Sequence, residues 1–379
     1  MRTLAVLLAI VAAPVAPSLP ASASTVACDG TWQATPVPTG KERDVILRSV
    51  SAVAAGDAWV VGDSPDGRAF TAHWDGTAWT PVPVHGVNGN ATLQSVAAVA
   101  PDDAWAVGSR RAHNAQLVTL IVHWDGTSWS EVPSPSPSRR ANQLFGVASA
   151  GGNAWAVGTR SQNQVPFFSR TLILRWDGSD WAVAPTPNLG GRAGEDALAA
   201  VSGAGASTSW AAGLSGDPTD QGLLLRWNGA SWTAMHDLPM LGVRSTFAGI
   251  DVPVPRRILA VGTLDDGNGQ RMFSLRSVPG GWDVAEPPDP PGLSGTLHGV
   301  AWDSKSTAWA VGQADNSSDA DSATLVERWN GAAWDIATSP DPEPGSDILT
   351  GVATAGGTVF ASGYGRAGPR SVPFAELYC

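Results

Sequence analysis

The chain has 379 residues and a formal net charge of −11, with 18 tryptophans against two tyrosines and two cysteines. That acidity disfavours long-range attraction to nucleic acid or anionic lipid. Two cysteines are too few for a disulfide-rich scaffold or a thiolate metal cluster.

The chain opens with Met1-Arg2, an apolar run from Leu4 to Val15, and Ala21-Ser22-Ala23. A basic start, a short hydrophobic middle and a small-residue exit mark a secretory signal over residues 1–23, cleaved after Ala23. Cleavage removes Arg2 and takes the charge from −11 to −12. The apolar run is about a dozen residues and is broken by Pro14 and Pro17, against the roughly 20 that a spanning helix needs. The expectation is a secreted, extracellular, monomeric protein without a membrane span and without nucleic-acid partners.

From residue 24 onwards one unit repeats. It is clearest in 93–133, where LQSVAAVA, a PDD turn, AWAVG, a variable loop, VTLIVHWDG and TSWSEVP follow one another. Each segment is short, rich in Val, Ile, Leu and Trp, and bounded by Gly, Pro or Asp, as strands require. These are strands A to D. Strand B ends at Gly62, Gly108, Gly158, Gly213, Gly262, Gly312 and Gly363. Seven copies of a four-stranded unit predict an all-β, seven-bladed β-propeller over 24–379. The blades fall at about 45–88, 91–139, 142–190, 196–241, 245–289, 295–343, and 347–379 completed by 27–38.

The split blade fixes the phase. CDGTW at 28–32 is a C-to-D turn with no strands A to C before it, and the last repeat runs through A, B and C to Cys379 without a D. Pairing an N-terminal strand D with three C-terminal strands removes the open sheet edge. In the repeat, Cys28 takes the place of the tryptophan of WDG, and Cys379 ends the preceding strand at the same place. The two thus meet at the seam of an exported protein, the setting for a disulfide.

In HWDGTAW at 73–79, Asp75-Gly76 forms the tip of the C-to-D hairpin and Trp79 begins strand D. The motif resembles the Asp-box and, more closely, YCF48-like propeller repeats, in which a GWAVG-type strand precedes a DGG-x-x-W turn. The matching pieces here are Ala104 to Gly108 and Asp125 to Trp129. The likeness spans the mature chain and implies a fold, since the box is structural across sialidases, other glycosidases, sorting receptors and assembly factors. Blades four and six read WNG instead of WDG. Every tryptophan except Trp302 occupies a repeated position in strand B, in WDG/WNG or in strand D. The motif is therefore scaffold, and Trp302 alone is a singleton candidate.

Function is sought where the repeat is broken. The B-to-C and D-to-A loops vary while the opposite turns are short and alike, so binding is expected at the variable end. Within strand A one position varies between constant neighbours, reading Arg48, Gln94, Phe145, Ala199, Ala248, His298 and Thr350. These should cluster at the channel mouth, where Arg48, Gln94, Phe145 and His298 could line a small-molecule pocket. Arg110, Arg111, His113, Arg139 and Arg140 form a basic spot suited to a carboxylate or sulfate, or a dispersed solvent-exposed set. Asp315, Asp319 and Asp321 with Asn316 offer oxygen donors for calcium or form a solvated acidic loop, and no other cofactor is expected. No HExxH, GxSxG or P-loop occurs. The reading is a non-enzymatic propeller that binds a protein or glycan through its loop face. The alternative is a hydrolase or lyase at the channel mouth, with His298 as general base and Arg48 orienting an anionic substrate.

Overall fold

The computed structural model describes residues 29–379 except 41–43, 88–89, 151, 162–167, 188, 190–194, 204–207, 217–219, 240, 316–321, 343–344 and 369. The leader, Cys28, Asn316, Asp319 and Asp321 lie outside the described residues. Every described element is a strand, and no helix is long and apolar enough to cross a membrane.

Seven antiparallel sheets form the blades of a propeller, each ordered A-B-C-D from the axis outwards. Blade two shows the pattern, with Ala91–Ala100, Asp103–Arg111, Leu117–Trp124 and Trp129–Glu131 as its four strands. The A strands of successive blades touch one another in a closed cycle around the axis. Blade seven is assembled from both ends of the sequence. Trp32–Pro36 pairs antiparallel with Arg370–Tyr378, in the register Trp32 to Tyr378 through Pro36 to Phe374. One addition breaks the uniformity: Val84–His85, leaving blade one, pairs in parallel with Trp129–Ser130 of blade two.

Between blades the core is built from tryptophan. Trp59 of blade one lies 4.6 Å from the ring of His73 in its own blade, and 4.8 Å and 5.1 Å from Trp124 and Trp129 of the next. Trp105 repeats the contact with His123, Trp176 and Trp181, and Trp155 with Trp227 and Trp232. Offset and edge-on pairs of this kind add about 0.5–1.5 kcal/mol beyond area burial. Where the histidine position holds arginine, the guanidinium stacks instead, with Arg328 5.3 Å from the Trp309 ring.

The hairpin tips explain the WDG motif. Oδ1 of Asp75 accepts the Thr77 N–H at 2.8 Å, the Thr77 hydroxyl at 2.7 Å and the Ala78 N–H at 2.9 Å. Asn228 accepts two turn N–H groups through the same oxygen, which is why WNG substitutes for WDG. These bonds, led by that of Thr77, hold the Asp75 carboxyl down at about 2.

Two details differ from the sequence reading. In the split blade, Tyr378 faces Trp32 as Trp74 faces Trp79, so the WDG tryptophan is replaced by Tyr378 and not by Cys28. Tyr378 also stacks 4.8 Å from Trp309. Strand B does not stop at its glycine either. Blade two's continues from Gly108 to Arg111, because the glycine serves a close approach within the sheet and not a turn.

Candidate functional site

Strand A of every blade carries one residue too many for its partner. In blade two Leu93 faces Gly108 and Ser95 faces Val107, so Gln94 is left over as a β-bulge. The same skip leaves out Arg48, Phe145, Ala199, Ala248, His298 and Thr350 in the other six blades. The seven variable positions are therefore the seven bulge residues. Each is released from the ladder, and its side chain is free of the cross-strand packing that keeps its neighbours constant.

The bulge also accounts for the glycine. A Cβ on Gly108 would lie 1.9 Å from the Thr92 carbonyl oxygen, and the six equivalent glycines meet the same carbonyl at 1.8–2.2 Å. The strand A residue after the bulge is small, being Ser49, Ser95, Gly146, Ala200, Gly249, Gly299 or Gly351, because the next blade's backbone is close. A Cβ on Gly249 would come within 3.1 Å of the Gly299 Cα. Hydroxyls and one carboxylate link these strands around the axis. Ser49 and Ser95 accept N–H groups of the next blade, and Asp251 accepts the Trp302 N–H at 2.8 Å.

All seven bulge residues line a single axial cavity of about 190 Å³. Its lining residues sit around the middle of strands A, as His298 does in Ser294–Trp302, while the B-to-C and D-to-A loops contact one another at the end where those strands begin, as in the 2.9 Å bond from the Ala91 N–H to the Gly67 carbonyl. The lining is lopsided. Long side chains come from blades one, two, three and six as Arg48, Gln94, Phe145 and His298, whereas blades four and five contribute Ala199 and Ala248. Arg48 is anchored through Nε by Asp63 at the end of strand B in its own blade. Burial pushes the His298 imidazole below its ordinary value, with a hydrogen bond to Gln313 opposing, so the ring is neutral near pH 7. His298 Nε2 is buried without a hydrogen-bond partner. A larger cleft, about 850 Å³, lies off the axis between Phe70, Val82, Val84 and Val87. The axial cavity draws on every blade.

The remaining candidates separate. Arg110 is paired with Glu131 at 3.0 Å, so it is not part of an open basic spot. Arg111, His113 and Arg140 are exposed, and the first and last sit on neighbouring segments. Arg111 pairs with Leu117, whose N–H donates to the Arg140 carbonyl at 3.2 Å. Asp315 accepts a hydrogen bond from Gln313 at 3.1 Å. Among the described residues no three His, Cys, Asp or Glu side chains are grouped to hold a metal. Trp302 is a correction: it is buried at 6% exposure, with Arg257 stacked 4.8 Å from its ring, and packs between blades.

The bulges escaped the sequence reading although a signal was present. Leu47 and Val50 are both buried and are three apart, a spacing that strict period-two alternation cannot place on one face. The extra residue is the bulge.

No family model matches the sequence, and no curated protein matches it. Among solved structures the chain is similar to YCF48 bound to D1 peptide, at 15% identity and a TM-score of 0.56, covering 95% of this chain and 99% of that one. It is also similar to YCF48 from Cyanidioschyzon merolae, at 14% identity and a TM-score of 0.55, covering 92% and 99%. A protein of unknown function from Dyadobacter fermentans matches at 13% identity and a TM-score of 0.52, again covering 92% and 99%. At these identities the likeness shows the shared fold alone.

Proposed function

We propose that this seven-bladed propeller is a secreted, monomeric, non-enzymatic binding module that seats a protein or glycan across its B-to-C and D-to-A loop face. The observation that carries this reading is the axial cavity ringed by seven bulge residues. At about 190 Å³ it is smaller than the roughly 300–1,000 Å³ of pockets that enclose a whole small ligand. It suits one protruding group of a larger partner, with the rest of the partner lying on the loops. Arg48, Gln94 and Phe145 form its polar and aromatic wall. Exposed Arg111, His113 and Arg140 extend the contact outwards over blades two and three. The D1 peptide on a YCF48 propeller of the same fold supports a polypeptide partner.

The enzymatic alternative draws less support from the geometry. Arg48 has its Nε engaged by Asp63, and the unpartnered nitrogen of His298 has no exposed surface from which to take a substrate proton. Export and ring closure belong to the same reading. Residues 1–23 are removed, and Cys28 bonds to Cys379, whose carbonyl accepts the Gly30 N–H at 2.9 Å. No described cysteine is free.

The test is binding of residues 24–379 to peptide and glycan arrays, followed by titration of the best ligand. Arg48→Ala and Phe145→Ala are expected to weaken binding about tenfold or more, the cost of a lost central contact. Thr233→Ala, on the exposed face of blade four's outer strand Trp232–Ala234, should leave it unchanged. A well-folded chain that retains no ligand, or a ligand indifferent to both loop-face substitutions, overturns the reading.

A further inference from the structure

Strand C contains a second break in the repeat, away from the loop face. Two residues before the position that pairs with strand D's tryptophan, the first five blades carry Ala72, Val122, Leu174, Leu225 and Leu275, all buried and apolar. Blades six and seven carry Glu327 and Glu376 at that position. Both are 0% exposed, and all four of their carboxyl oxygens lack a hydrogen-bond partner. An ionised carboxylate in such a place costs several kcal/mol and is normally avoided by protonation.

The two sites lie in adjacent seams. Glu327 alternates with Leu325 and Trp329, which pack against Leu259, Val261 and Met272 of blade five. Its cross-strand neighbours are Ala310 and Ile336. Glu376 alternates with Phe374 and Tyr378, which pack on Trp309, Val311 and Val326 of blade six. Its neighbours are Ala361 and Ala34.

The charged groups that face them are of the wrong sign. Burial first, then Asp335 and Asp289, push Glu327 up to about 8. Burial first, then Asp341 and Asp347, push Glu376 up to about 9. The arginines of these seams are committed elsewhere. Arg276 stacks on Trp329 and pairs with Asp283, Arg328 stacks on Trp309, and Arg271 pairs with Asp266 and Glu286. Among the described residues neither glutamate therefore has a cation to receive its charge.

We propose that blade six is an alkali-releasable sector of the ring, closed on both sides by glutamic acids that must keep their protons for the seams to stay packed. Deprotonating Glu327 loosens the seam to blade five, and deprotonating Glu376 loosens the seam to blade seven. Among the described residues blade six alone has such a group on each flank, and it carries His298 into the axial cavity. A folded value raised above the unfolded one means that the associated stability is complete below the ordinary carboxyl range. It is lost as pH rises through about 8 to 9.

Hydrogen–deuterium exchange of the mature chain at pH 6 and pH 9, corrected for the intrinsic rate, tests this. Strands Ala308–Asp315 and Ser322–Trp329 are compared with Asp103–Arg111 and Leu117–Trp124 of blade two. Protection in blade six should fall about tenfold or more relative to blade two, the equivalent of one pH unit of titration. Glu327→Gln with Glu376→Gln, which keeps the shape of the protonated side chain, should abolish the difference. Should the glutamines fold poorly, Glu327→Leu with Glu376→Leu restores the residue of blades three to five and serves in their place. Parallel loss of protection in the two blades, or a pH dependence that survives both substitutions, overturns the proposal.

Discussion

The two ends of the propeller solve opposite problems with the same backbone. At the turn end six of the seven C-to-D hairpins are tied by an Asp or Asn side-chain oxygen, as at Asp75, Asp125 and Asn228, blade five turning through Pro279-Gly280 instead. Between that end and the variable loops each blade opens its ladder at a bulge and releases one half-buried residue that the sheet does not use. The difference teaches that constancy and freedom are coupled. The glycine fixed in strand B is what permits the variable side chain beside it in strand A.

The sharpest way to break this picture is to fill the glycine. Gly108→Ala drives a Cβ into the Thr92 carbonyl, and a loss of about 4 kcal/mol or more is expected, or no folded protein at all, by denaturant unfolding. Gln94→Ala, one residue past Leu93 across the same bulge, is expected to change stability by less than about 0.5 kcal/mol. Equal effects would dissolve the distinction between scaffold and display position. Next comes Trp129→Ala, which opens the fully buried stack on Trp59 and should cost about 3–5 kcal/mol.

Smaller effects probe the turn end and the acidic seams. A single Glu327→Leu substitution removes two buried carboxyl oxygens that have no hydrogen-bond partner, and is expected to raise the thermal midpoint more at pH 8 than at pH 4, where the unsubstituted acid is largely neutral in both folded and unfolded chains. Asp125→Ala should give the smallest shift, a modest lowering of the midpoint at pH 7. Its hydrogen bonds, led by that of Thr127, hold Asp125 down at about 2. Its contribution is therefore present above the ordinary carboxylate range and fades as pH falls through about 2. The gap between Asp125→Ala and the parent should close accordingly in acid.

Much of this architecture was written in the sequence because repetition makes each blade a control for the others. Seven glycines and seven strand D tryptophans set the blade count, and the lone CDGTW turn at residues 28–32 set the closure. The channel ring was legible as variation between constant neighbours. What stayed hidden was its cause, since a bulge is a relation between two strands and only its half in strand A is visible as the spacing of Leu47 and Val50. The glutamates were in plain view as departures in strand C. They signify something only once the structure shows both oxygens of each without a partner. Tyr378 was missed because aligning the split blade by motif, and not by pairing, put Cys28 in its place. Trp302, a singleton in sequence, proved to be packing because no pattern in the chain reveals which neighbouring blade covers it.

The closing strand has a kinetic meaning as well. Thr35 donates its hydroxyl proton to the Ala375 carbonyl at 3.0 Å across 340 residues of sequence. Six blades are built from local hairpins that form quickly and stack on their neighbours as they emerge, in the manner of a linear repeat array. The seventh requires the longest loop in the molecule to shut, and loop closure must be met before its contacts repay it. Folding should therefore end in a slow phase that reports on Trp32 and its neighbours. Until that phase is complete, the exposed edge of Arg370–Tyr378 is open to the strand D of a second chain, which makes domain-swapped dimers the characteristic misfolded product of this ring.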